Sequence, residues 1–122
     1  MNIPFIKMHG LGNDFIIFDN IKNPIIHQLN FVQKISNRRI GIGCDQLIII
    51  ENTNLKENFK VKIYNSDGSE TGACGNGVRC VADYLMNKGN IDSLYIQTIS
   101  GQLRCDKNKN DVTVNMGKLL AP

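Results

Sequence analysis

Cys74 stands out among the reactive groups of this 122-residue chain because of the residues around it. It is followed by Gly75, Asn76 and Gly77, then by Val78, Val81, Ala82, Leu85 and Met86 at helical spacing. Before it, Phe59 to Tyr64 alternates apolar and polar as a strand does, and Asn65-Ser-Asp-Gly68 stops that strand with turn chemistry. The sequence therefore places a cysteine where a polar turn meets a helix start. Helix N-termini carry unsatisfied N–H groups and about half a positive charge, which favour a thiolate over a thiol and lower its pKa below about 8.5. The same donors can hold a carboxylate, and the small residues at 75 to 77 let a ligand approach the backbone. Such a site can grip an amino acid by its carboxylate while a thiolate reaches the α-carbon. Cys74 reads as an acid/base or nucleophilic cysteine.

The other candidates have plainer readings. Cys44 reads as a small buried hydrophobe, Cys80 as a core residue of the helix, and Cys105 as a packed or exposed strand residue. No Cys-x-x-Cys occurs and His9 and His27 lie far from any cysteine, so no zinc site is expected. The turn His9-Gly-Leu-Gly-Asn-Asp14 lacks both a Walker lysine and a GxGxxG-then-helix pattern, and spacing alone makes Asn13 and Asp14 hairpin-turn residues. Spacing assigns no role to Gln46, at a strand entrance beside a glycine turn. A net charge of +3 without a basic stripe interleaved with aromatics argues against nucleic-acid binding. No apolar run approaches the roughly 20 residues of a membrane span, and the first residues do not resemble a secretory signal. Reduced thiols and a cytoplasmic location are expected.

Periodicity supplies the elements that must position these groups. Strands are expected at 3–8, 15–18, 47–50, 59–64, 93–98, 101–105 and 111–115, with a hairpin turn at 106–111. Asn30 with Gln33 suggests a capping box opening a helix to about Arg39, its core face made of Phe31, Val32 and Ile35. The second helix ends at Asn87-Lys88-Gly89, with Gly89 suited to the left-handed C′ position. Projected at 100° per residue, that helix confines Arg79, Asp83 and Asn87 to one strip and is apolar over roughly 240°. A helix of that kind is enclosed by sheet. The expected fold class is α+β: a curved, mostly antiparallel sheet wrapped around a central helix, with the other helix packed outside.

Four motifs carry a resemblance to a known family. His9-Gly-Leu-Gly-Asn-Asp-Phe15, Gly41-Ile-Gly-Cys-Asp-Gln46, Asn65-Ser-Asp-Gly-Ser-Glu70 and Ala73-Cys-Gly-Asn-Gly-Val-Arg-Cys80 resemble, in order, those of diaminopimelate epimerase, and the similarity runs on through Val114-Asn-Met-Gly117. The resemblance covers residues 1–122 as an N-terminal domain, about the first half of the family's two-domain length, with the C-terminal domain absent from this chain. It implies cofactor-independent interconversion of LL- and meso-diaminopimelate in lysine and peptidoglycan-precursor synthesis. Two cysteines on opposite faces of the α-carbon would act as acid and base, with Cys74 matching the first. Asn13, Gln46 and Asn65 match substrate-binding positions, which moves Asn13 out of its turn-only reading, and Gly75 and Asn76 match the backbone that receives the substrate carboxylate. Arg79 and Glu70 match motif positions to which structural roles are given. No residue here matches the second cysteine, so the chain alone is expected to be inactive. The face left for the second domain favours weak self-association into a homodimer. The rival readings are a proline racemase-like or phenazine-pathway-like isomerase of the same fold, and a noncatalytic packing domain.

Overall fold

The computed structural model describes residues 3–10, 12–53, 55–72, 75–108 and 111–115. Within them run strands β1 (Ile6–Gly10), β2 (Asn13–Asp19), β3 (Gln46–Asn52), β4 (Asn58–Asn65), β5 (Glu70–Thr71), β6 (Ser93–Thr98), β7 (Gly101–Asn108) and β8 (Asp111–Asn115). Helix α1 spans Leu29–Ser36 and helix α2 spans Gly75–Gly89. The strands form one sheet in the order β1-β2-β3-β4-β6-β7-β8, with the short β5 added to β4. The β2–β3 and β4–β6 pairings are parallel and the others antiparallel. The sheet curls far enough for α2 to pack against β1 and β2 on one side and β6, β7 and β8 on the other.

Strand alternation divides the core into two layers. Phe15, Ile17, Ile48, Ile50, Val61 and Ile63 point to the concave face, where they meet Val78, Val81, Ala82, Leu85 and Met86 of α2. Ile16, Phe18, Leu47, Ile49 and Tyr64 point the other way, onto Val32 of α1 and Ile26. The middle strands are thus buried on both faces, which is why β3 is a continuous apolar run rather than an alternating one. The enclosed α2 and the outer α1 match the expected architecture. Only Arg79, Asn87 and the residues after them on α2 are exposed, with Asp83 and Tyr84 half-buried, as the narrow polar strip requires.

Local differences from the sequence reading have identifiable causes. The stretch before α1 is not simply a polar loop: Pro24–His27 forms a 3-10 turn, capped by the Asn23 side chain accepting from the Ile25 N–H, and it buries Ile26. That turn runs directly into α1, whose first residue is Leu29, so the expected capping box does not form. Gln28 occupies the N-cap without a side-chain cap bond, and the Gln33 amide instead donates to the Asp67 carbonyl at 2.9 Å. Helix α1 stops at Ser36 because Asn37 turns the chain, its side-chain oxygen accepting from the Arg39 and Ile40 N–H groups. Strand β1 begins later than expected, at Ile6, and β7 is longer, running to Asn108. At the end of α2, Gly89 remains helical and Asn90 takes the left-handed position at φ 52°, with the Ile91 N–H donating to the Met86 carbonyl. Asparagine tolerates that conformation well enough to serve as C′ in place of glycine.

Candidate active site

Pairing register brings the sequence-predicted amides together. Asn13 opens β2, Gln46 opens β3 and Asn65 closes β4. Gln46 lies opposite Phe15 on one side and Asn65 on the other. Asn13, Gln46 and Asn65 each stand two residues from a concave-face core residue: Phe15, Ile48 and Ile63 respectively. By strand alternation all three therefore project from the concave face at one end of the sheet. This is the face that encloses α2.

Two amide pairs link this edge to itself and to the helix. The Gln46 Nε2 donates to Asn65 Oδ1 at 3.1 Å, and Asn76 Nδ2, in the first turn of α2, donates to Asn13 Oδ1 at 3.1 Å. Asn65 is fixed by the turn after it: its N–H donates to the Ser69 carbonyl, and its side chain donates to Ser69 Oγ. Gly75 and Asn76 open α2, so the helix's unsatisfied N–H groups lie at the amide-lined end of the sheet. Asn13, Gln46, Asn65, Gly75 and Asn76 are all half-buried, neither core nor fully solvated. Cys74, which immediately precedes Gly75 in the sequence, lies outside the described residues.

The other end of α2 is tied to the same strand. Tyr84 donates to Asp19 Oδ2 at 2.7 Å and Lys88 reaches the same oxygen at 2.6 Å. Asn13 and Asp19 bound β2, about 20 Å long, and α2 rises about 12 to 18 Å between Asn76 and Tyr84 or Lys88. The helix is thus held to β2 at both ends, which fixes how far its first turn projects. Glu70 lies exposed in β5 and Arg79 exposed on the outer strip of α2.

A cluster with no local signature in the sequence stands beside Asn13 and Gln46. Arg38 grips Asp14 with both terminal nitrogens, at 3.0 and 2.9 Å, and reaches Asp45 at 3.2 Å. The two aspartates also exchange bonds: the Asp14 N–H donates to Asp45 Oδ2 at 2.9 Å and the Asp45 N–H to Asp14 Oδ1 at 2.8 Å. The Arg38 hydrogen bond, with that from the Asp45 N–H, holds the Asp14 carboxyl well below the usual carboxylate range despite its partial burial. A depressed carboxylate pKa contributes its full stability above the ordinary value of 3.8, and that contribution declines progressively as pH falls from there through the depressed value. A shallow hollow of about 390 Å³ opens here, lined by His9, Asn13, Asp14, Arg38 and Asp45 among others. Its described lining does not include Gln46, Asn65 or Asn76.

The remaining cysteines behave as their settings dictate. Cys44 is buried at the Ser36 hydroxyl, Cys80 lies in the core against β1, and Cys105 is fully buried in β7. None of the three forms a disulfide. Burial raises the Cys44 thiol above its ordinary value, opposed by the Ser36 bond, and burial with the Asp106 charge pushes Cys105 up to about 11. Brief iodoacetamide treatment of the folded chain is therefore expected to label Cys74 first. Peptide mapping that finds Cys44 or Cys105 labelled ahead of it would show that the reactive thiol has been misassigned.

Comparison with known proteins gives a consistent picture. Residues 5–120 match the family model described as diaminopimelate epimerase. A diaminopimelate epimerase of Zymomonas mobilis is 45% identical over 118 residues, covering 97% of this chain and 42% of the relative. One from Nitrosospira multiformis is 40% identical over 123 residues, covering 96% of this chain and 43% of the relative. The chain thus spans less than half the length of the curated relatives it matches. Among solved structures, a phenazine biosynthesis protein of the PhzF family from Enterococcus faecalis aligns with TM-score 0.61 at 15% identity, over 80% of this chain and 35% of the other. A predicted epimerase from Pseudomonas aeruginosa aligns with TM-score 0.60 at 16% identity, over 84% and 36% respectively. At these identities the likeness shows the fold alone. Among the described residues no helix is long and apolar enough to cross a membrane.

Proposed function

The chain belongs to the diaminopimelate epimerase family, and from that premise we propose that it supplies one wall of a site that epimerises LL-diaminopimelate to meso-diaminopimelate without a cofactor. The observation that carries this reading is the convergence of Asn13, Gln46 and Asn65 on one concave sheet end, joined to the first turn of α2 through the Asn76–Asn13 bond. Amide side chains both donate and accept, so this edge suits a zwitterionic substrate bearing carboxylates and ammonium groups. The backbone N–H groups of Gly75 and Asn76 suit the carboxylate beside the reacting carbon.

The reaction is a proton exchange with no net redox change. Cys74, as thiolate, removes the α-proton from one face, and the electron pair left behind delocalises into the adjacent carboxylate. Helix-start donors stabilise that charge as it develops, most effectively where water is excluded. A thiol on the opposite face returns a proton and the stereocentre inverts; run backwards, the two sulfurs exchange roles. The second thiol is assigned to a residue outside these 122, because Cys44, Cys80 and Cys105 are all buried in the core, out of reach of a substrate at the sheet end. We place the reaction in the cytoplasm, where cysteines such as Cys44, Cys80 and Cys105 stay reduced.

The test joins these residues to the C-terminal remainder of the Zymomonas mobilis relative and follows stereoisomer ratios by chiral chromatography. Conversion of LL-diaminopimelate with no racemisation of proline is the expected result. Proline turnover in its place would move the protein to a different isomerase class.

A further inference from the structure

We propose that Arg38, Asp14 and Asp45 act as a positioning clasp for the substrate-binding amides, setting the relative placement of Asn13 and Gln46; this rests on the epimerase reading above. Asp14 directly follows Asn13, and Asp45 directly precedes Gln46. The parallel β2–β3 ladder begins only at Phe15 opposite Gln46, so its register does not extend to the residues before that pair. The clasp takes its place there. Three bonds cross between Asp14 and Asp45, two to carboxylate oxygens and one from the Asp45 N–H to the Asp14 carbonyl at 3.1 Å. Arg38 closes the ring over both carboxylates.

The loop from Asn37 to Cys44 is shaped to deliver that arginine. Its Gly41 N–H donates to the Asn37 carbonyl, Gly43 N–H to the Ile35 carbonyl, and Cys44 N–H to the Ser36 carbonyl. Gly43 has φ +84° and lies so close to Arg38 that an added Cβ would sit 2.8 Å from its Cγ and 3.1 Å from its Cα. The loop's glycine thus packs against the root of the arginine and aims it inward. The side chain is nevertheless 56% exposed. Ion pairs that open to solvent contribute little to global stability. What this one does determine is geometry, since a planar guanidinium held by two nitrogens on one carboxylate resists rotation in a way an ammonium does not. Lys7, 3.7 Å from Asp14, adds charge without that fork.

The test compares Arg38→Ala and Arg38→Lys in the fusion with the Zymomonas mobilis remainder, alongside the 122-residue chain labelled with 15N. Loosened substrate-binding groups weaken ground and transition states together, so Arg38→Ala should raise KM for LL-diaminopimelate about tenfold while kcat stays within about threefold. Arg38→Lys should fall between the wild type and Arg38→Ala in KM. In the labelled chain, Arg38→Ala should shift the side-chain amide signals of Gln46 and Asn76 toward those of solvated amides. An unchanged KM in Arg38→Ala, or a kcat that drops in step with the folded fraction while KM holds, would overturn the clasp. A wild-type fusion that leaves diaminopimelate untouched counts against the epimerase reading alone. The clasp is then judged by the amide signals, and unmoved signals in Arg38→Ala overturn it.

Discussion

The 122-residue chain by itself is expected to show no measurable α-proton exchange with diaminopimelate in deuterated water, whereas its fusion with the C-terminal remainder of a relative should exchange readily. Inversion needs a donor on the face opposite the base, and these residues supply one suitably placed thiol in the proposed mechanism. Losing one partner in general acid–base catalysis costs about 10² to 10⁴ in rate, before any penalty from water entering a half-built cleft. Cys74→Ala in the fusion should cause a loss of the same order, because it removes the other partner. The informative comparison is between these two losses. Full activity from the isolated chain would mean that Cys44, Cys80 or Cys105 is the second acid. Exchange that survives Cys74→Ala would mean that Cys74 is not the base.

Gly41→Ala is expected to destabilise the fold by about 2 to 3 kcal/mol, a typical result of forcing atoms into occupied space. A Cβ at position 41 would run into the Lys34 carbonyl oxygen and lie 2.6 Å from the Ile35 carbonyl oxygen. Both belong to the backbone of α1, so no side-chain rotation relieves the overlap. Either the last turn of α1 or the 37–44 loop must move, and the bonds from Gly43 to Ile35 and from Cys44 to Ser36 go with it. Gly89→Ala is the matched comparison: its added Cβ meets Ile91 at ordinary contact distances from 3.7 Å, and alanine is the better helix former. Thermal unfolding followed by circular dichroism should place Gly41→Ala about 10 °C below the wild type and Gly89→Ala at or above it. Coincident melting of the two variants would mean that the loop is not packed against α1 as described.

The parts of this molecule legible from sequence are those fixed by short-range periodicity. The spacing of Val78, Val81, Ala82, Leu85 and Met86 foretold an enclosed helix, and the run Leu47 to Ile50 foretold a strand covered on both faces. Gly75 and Asn76 stand out from the local helix-start pattern itself, whereas Asn13, Gln46 and Asn65 emerge only through motif resemblance; periodicity alone makes Asn13 a turn residue and gives Gln46 no role. What stayed hidden depends on pairings between distant residues. Nothing near Arg38 in the chain indicates that it holds Asp14, because the two meet only once β2 and β3 run parallel. The start of α1 differs from its sequence pattern for a related reason: Asn30 and Gln33 satisfy the pattern of a capping box, but the preceding 3-10 turn already sets where the helix begins. Two-residue β5 is too short to carry a periodic signal at all.

The enclosure of α2 has a consequence for the time before the native state exists. Hairpins such as β1–β2 and β6–β7 join neighbours in the chain and can zip within microseconds. The β4–β6 pairing is parallel and non-local, with α2 lying between its strands in sequence, so it closes more slowly than the local hairpins. Cys80 and Cys105 both belong to the core cluster completed by that closure. Until then their thiols lack the cover of the finished cluster. Their exposure to oxidants is therefore governed by how quickly the crossover closes on a newly made chain, and the finished fold, however stable, protects only molecules that have passed that step.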